Sequence, residues 1–148
     1  MTPKTRVVIS FLGTQLDSGG GEGRWNKWRP NVAMNQRNDL TLDRIVGDIA
    51  LRYPEINAVI LKWSVDENIW LRRVAIDHQL LRKEKTNTTL LAKILDNNLG
   101  QSEFFINKAI GWALRDYSKT NPEWVREYIK IRHEKMAALS IREATKYL

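Results

Sequence analysis

From about Asp39 onward the chain carries apolar residues at intervals of three and four, as in Leu42, Ile45, Val46 and Ile49 and again in Ile56, Val59, Ile60 and Trp63. That period puts one apolar stripe on a helix. Breaks fall at Pro54, Ser64 to Glu67, Thr86-Asn87, Gly100 and Asn121-Pro122. The last is a helix-start signal, because Asn accepts from exposed N–H groups and Pro suits the first turn. The pattern predicts helices over 40–52, 55–63, 68–84, 88–98, 102–118, 122–135 and 140–147. Before them, Arg6 to Leu12 is a β-branched apolar run stopped by Gly13, which predicts a short β-strand entering the Gly-rich loop Ser18 to Gly23. No Lys-Ser/Thr pair follows that loop, so a P-loop is excluded and a flexible connection is the preferred reading.

The helices repeat. Trp70 to Ala75 aligns with Phe105 to Ile110 at an offset of 35, and Ile141 to Ala144 lies 35 beyond Ile106 to Ala109. Lys85-Thr86-Asn87 returns as Lys119-Thr120-Asn121 at an offset of 34. Two helices per period of this length predict a mainly α fold, a HEAT-like α-solenoid whose pairs bury their apolar faces against their neighbours.

Composition narrows the chemistry. The 148 residues include no Cys, which excludes disulfide scaffolds, thiolate metal sites and cysteine nucleophiles, and two His cannot alone build a usual metal site. No apolar run approaches the roughly 18 residues that span a bilayer, and the start lacks a signal peptide's apolar stretch, so no membrane partner and a cytoplasmic location are expected. The net charge of +7 favours a polyanionic partner. Residues 1–45 carry seven basic and four acidic groups, residues 46–148 seventeen and thirteen, so neither part is a basic tail.

Within 102–118, Lys108, Trp112, Arg115 and Lys119 fall at i, i+4, i+7 and i+11, one stripe distinct from the apolar row of Ile106, Ile110, Ala113 and Tyr117. Trp112 among cations either meets a ligand or is covered by a neighbouring helix. Arg73 shares the stripe of Ile69, Ile76 and Leu80, where a guanidinium must snorkel, pair with a carboxylate or meet a phosphate. Trp25 and Trp28 beside Arg24, Lys27 and Arg29 read more simply as a covered core edge than as a stacking site.

Long ordered strings in residues 46–148, among them Val46-Gly47-Asp48-Ile49, Asn68 to Arg73, Lys108 to Arg115, Lys119 to Pro122 and Leu139 to Ala144, closely resemble the AlkD-like DNA alkylation repair proteins. The resemblance implies HEAT-like repeats, duplex DNA containing alkylated purines as partner, and hydrolysis of the N-glycosidic bond of cationic N3- and N7-alkylpurines with no metal and no cofactor. It makes Trp112 the lesion-facing aromatic and Arg73 a DNA contact near the lesion, with Lys108, Arg115 and Lys119 as further DNA contacts. Members carry a Trp-Trp-Asp motif upstream of the Gly47-Asp48-Ile49 match. Extending the register places Val32 at the aromatic and Gln36 at the carboxylate, and neither side chain supplies that group. The expected activity is therefore reduced or absent, the alternative being a non-catalytic helical-repeat module that binds duplex DNA.

Residues 4–45 resemble something else. Lys4 to Thr14, Arg24-Trp25-Asn26-Lys27-Trp28-Arg29-Pro30 and Asp39 to Arg44 look like the start of RtcR, a sigma-54-dependent activator family with a Rossmann-like CARF sensor. The chain thus reads as a fusion of an incomplete RtcR-like fragment, 1–45, with the C-terminal half of an AlkD-like domain, 46–148. A third functional reading is a fragment of a nucleotide-sensing regulator. The exposed first repeat implies self-association.

Overall fold

The computed structural model describes residues 39–148, with side chains from Asp43 onward. The expected strand, the Gly-rich loop, Trp25, Trp28, Val32 and Gln36 lie outside these residues. Among the described residues there are seven α-helices and no strand: α1 Asp39–Arg52, α2 Asn57–Trp63, α3 Ile69–Asp77, α4 Thr88–Asp96, α5 Phe104–Ser118, α6 Pro122–Arg132 and α7 Ala138–Ala144. Single 3-10 turns occupy Pro54–Ile56, Lys83–Lys85 and His133–Lys135.

The starts of three helices follow from one residue type. Asn68, Asn87 and Asn121 each sit just before a helix and accept from a backbone N–H of its first turn, those of Trp70, Leu90 and Trp124. Asn87 and Asn121 are the pair expected from the 34-residue offset.

Contacts run α1 to α3, α3 to α5 and α5 to α7, so the odd-numbered helices form one row. Helix α2 packs on α3 and α4, and α6 packs on α5, forming the second row. The apolar stripes meet between the rows: Ile60, Leu71, Ile94, Ile106, Ile110 and Leu114 are fully enclosed. Polar bonds between neighbouring pairs keep the repeat period. Asn98 donates to the carbonyl of Ser64 at 2.9 Å, and Ser140 Oγ donates to the carbonyl of Asn107 at 2.7 Å. Tyr128 Oη donates to Asp96 at 2.9 Å, and Arg132 clasps the same carboxylate.

Most helix ends lie within three residues of the predicted ones, as in 88–98 observed as Thr88–Asp96 and 122–135 as Pro122–Arg132, and one differs by more. The helix predicted over 68–84 ends at Asp77. Leu80 and Leu81 prolong the apolar period, but tertiary bonds hold the chain in a turn instead. Leu81 has φ 67° and gives its N–H to Asp116 Oδ2 at 2.9 Å. Gln79 bonds both backbone groups of Asn87, accepting its N–H at 2.7 Å and donating to its carbonyl at 3.2 Å. Bonds to residues 8 and 35 positions away thus replace the continuing helical ladder.

Gly47 marks the closest approach of α1 to the end of α3. A Cβ built there would lie 2.2 Å from the carbonyl oxygen of His78, and the Gly47 carbonyl accepts from Arg82 Nη2 at 2.7 Å. Gly47→Ala should destabilise the protein by about 2 kcal/mol. Helix propensity favours Ala by about 1 kcal/mol, but a backbone oxygen cannot swing aside, and overpacking of this kind costs about 1–3 kcal/mol or more. The urea midpoint followed by far-UV circular dichroism measures it, and a midpoint equal to wild type would contradict the close approach.

Candidate nucleic-acid interface

Helix α5 is long enough, at 15 residues, to present two faces along four turns. One face carries Ile106, Ile110 and Leu114 into the core. The other carries Lys108, Trp112, Arg115 and Lys119 outward, as the spacing predicts. Trp112 is 43% exposed, so neither row of helices covers it. Lys108 Nζ lies 5.7 Å from the Trp112 ring centroid and Arg115 Cζ 5.8 Å from it, on either side along the helix.

Beside Trp112 opens a cleft of about 320 Å³ between α1, the turn after α3, and α5. Trp112, Arg115 and Lys119 line it together with Asp43, Arg44, Leu80, Leu81 and Asp116. The lining combines three apolar side chains with three cations and two carboxylates. Asp43 is 3% exposed, on the first full turns of α1. Asp116 is engaged by the N–H of Leu81.

Arg115 is held by two residues of the C-terminal segment, Glu143 and Tyr147. Nη1 lies 3.4 Å from Glu143 Oε2, Nη2 donates to Tyr147 Oη at 3.1 Å, and its Cζ stands 5.0 Å from the Tyr147 ring centroid. That hydrogen bond, with the charges of Arg115, Lys146 and Lys119, draws the Tyr147 phenol below its ordinary range.

Arg73 is not among the residues lining the cleft. It pairs with Asp77, Nε to Oδ2 at 3.7 Å, and its Cζ lies 5.9 Å from the Trp70 ring centroid and 5.8 Å from that of Phe105. Of the readings open for a guanidinium in that stripe, the carboxylate pair is present. The cleft therefore unites three of the five expected site residues, flanks them with Lys108, and leaves Arg73 on the neighbouring helix. It also brings in Asp43, Arg44, Leu80, Leu81 and Asp116, which the sequence reading did not single out for the site. Asp43 lies 69 positions before Trp112, too far for any helical spacing to connect them.

Among the described residues no group of three His, Asp or Glu is placed to hold a metal ion. No helix among them is long and apolar enough to cross a membrane.

A sequence model of the DNA alkylation repair enzymes matches residues 23–148. Among solved structures, a protein described as a predicted DNA alkylation repair enzyme from Enterococcus faecalis superposes with a TM-score of 0.64 at 35% identity, over 78% of this chain and 61% of that one. The chain thus spans about three fifths of that relative's length. Among curated proteins, the transcriptional regulatory protein RtcR of Escherichia coli (strain K12) is 45% identical over 40 residues, which is 26% of this chain and 8% of that protein.

Proposed function

Since the chain belongs to the DNA alkylation repair enzyme family, which its match over residues 23–148 shows, we propose that it hydrolyses the N-glycosidic bond of cationic N3- and N7-alkylpurines in duplex DNA. An alkylated purine already carries positive charge, so its bond to the sugar is weak. As the bond breaks, the bonding pair stays with the base, which leaves neutral, and positive charge develops on the sugar until water adds. Two things help: a π-face that holds the cationic base, and a carboxylate that stabilises the sugar's charge.

The observation that carries this reading is Trp112, exposed at the mouth of a cleft that also contains the buried carboxylate of Asp43. In this proposal Trp112 faces the lesion and Asp43 supplies the negative charge that neither Val32 nor Gln36 can. Lys108, Arg115 and Lys119 hold phosphates, and Arg73 contacts the DNA from α3, where its ring stacking fixes the guanidinium. The carboxylate then comes from the segment of α1 that resembles RtcR. We also propose that residues 1–45 derive from such a regulator, although α1 continues unbroken across positions 45 and 46.

The assay is release of 7-methylguanine from methylated duplex DNA, corrected for spontaneous loss. Trp112→Ala should lower the rate roughly 5- to 30-fold, the worth of a cation–π contact of about 1–2 kcal/mol. Release no faster than in buffer would overturn the hydrolytic reading. A second reading, a non-catalytic duplex-binding module, is favoured by Val32 and Gln36 at the motif positions. Its signature is duplex binding without release, weakening steeply with salt.

A further inference from the structure

The offset of 35 that relates the helices carries Trp112 onto Tyr147. Both are aromatic and both are open, at 43% and 51% exposed, and Phe104, two turns before Trp112 on α5, is 52% exposed. Cations stand between the rings. Lys108 Nζ is 5.7 Å from the centroids of both Phe104 and Trp112. Arg115 Cζ is 5.8 Å from Trp112 and 5.0 Å from Tyr147, and Lys119 Nζ is 5.0 Å from Tyr147. The result is a ladder in the order Phe104, Lys108, Trp112, Arg115, Tyr147, Lys119.

The paired bases of an undamaged duplex stack on one another, so an unmodified duplex, with no lesion to displace, offers such a ladder its phosphates and no interior π-face. The rise of α5 sets the Phe104 and Trp112 backbones about 12 Å apart, well beyond the roughly 3.4 Å between stacked bases. Three open rings at such intervals suit bases that have been unstacked, with the intervening cations meeting the backbone. Exposed aromatics alternating with positive charge are the recognition chemistry of unpaired strands, since every base has a π-face.

We propose that this ladder is a binding site for single-stranded DNA, with bases on Phe104, Trp112 and Tyr147 and phosphates on Lys108, Arg115 and Lys119. The proposal concerns an unmodified strand and requires no bond cleavage, so it stands or falls separately from the hydrolytic reading.

The experiment is fluorescence anisotropy of the full chain with labelled 20-nucleotide oligo(dT) and with an unmodified 20-base-pair duplex, at one fixed salt concentration. The single strand should bind at least fivefold more tightly than the duplex. Tyr147→Ala should weaken binding of the strand about tenfold and that of the duplex less than twofold. Tyr147→Phe, which keeps the ring, should stay within twofold of wild type for both. Phe104→Ala, at the opposite end of the ladder, should repeat the effect of Tyr147→Ala. Both residues are half open to solvent, and an unchanged far-UV spectrum confirms that the variants fold. Equal binding of strand and duplex, equal weakening of both by Tyr147→Ala, or tighter binding of oligo(rU) than of oligo(dT) would overturn the proposal.

Discussion

Lowering the pH from 7.5 to 4.5 should cost the protein roughly 3 kcal/mol of stability through His78 alone. The ring is fully enclosed at the close approach of α1 and α3. Its Nδ1 lies 2.6 Å from the carbonyl oxygen of Ala75. A carbonyl only accepts, so Nδ1 carries the proton, and Nε2 is left buried with no hydrogen-bond partner. Protonating Nε2 would create a buried cation. Burial therefore pushes the imidazole down to about 3, the bond to Ala75 opposes the shift, and the charge of Arg82 adds to it.

The folded-state value thus lies below the ordinary 6.5 of the unfolded chain. The unfolded chain takes up the proton first, so stability is fully present above pH 6.5 and is lost as pH falls toward 3, by about 1.4 kcal/mol per pH unit. Urea titrations at several pH values measure it. His78→Phe should flatten the profile between pH 6.5 and 4.5 relative to wild type, whatever it does to stability at pH 7.5. An identical profile in both proteins would show that the imidazole is not responsible.

Asp43→Asn should lower 7-methylguanine release by about 100-fold, the scale on which single preorganised electrostatic contacts act in a transition state. The substitution preserves shape and removes only charge. At a buried position that charge acts at lower dielectric than in water, so it is worth most as the sugar becomes cationic. Affinity for undamaged duplex should hold or rise slightly, because a negative group has been taken from a surface that meets phosphates. Asp116→Asn is the matched control, since it removes a more exposed carboxylate from the same cleft, and its release rate should fall less than tenfold. Wild-type release by Asp43→Asn would remove Asp43 from the mechanism.

The parts of the molecule legible in the sequence are those set by local rules. The Asn121 cap, the apolar faces of α1, α2 and α5, and the Lys108–Trp112–Arg115–Lys119 stripe follow from spacing along one helix, whereas the caps at Asn68 and Asn87 emerge only in the structure. The offset of 35 relates α3, α5 and α7 and that of 34 relates the starts of α4 and α6, because residues one period apart occupy equivalent places in neighbouring pairs. The end of α3 was hidden, because the bonds from Leu81 to Asp116 and from Gln79 to Asn87 override a helical pattern that Leu80 and Leu81 continue. Asp43 was passed over for a different reason. It lies outside the helical spacing that connects the stripe, and only the cleft between α1 and α5, both of which pack on α3, brings it to Trp112. The pairing of Arg73 with Asp77, four residues apart, was one of three options that the pattern allowed.

The bonds from Ser64 to Asn98, Asp96 to Arg132 and Asn107 to Ser140 each join one helix pair to the next and reach no farther. Such an assembly behaves as a one-dimensional lattice with nearest-neighbour coupling. Its architecture sets a local geometry without setting a length, so units can be gained or lost at an end while the interior joints stay the same. A stack that covers 61% of a relative's chain can therefore share the joints of the pairs the two have in common.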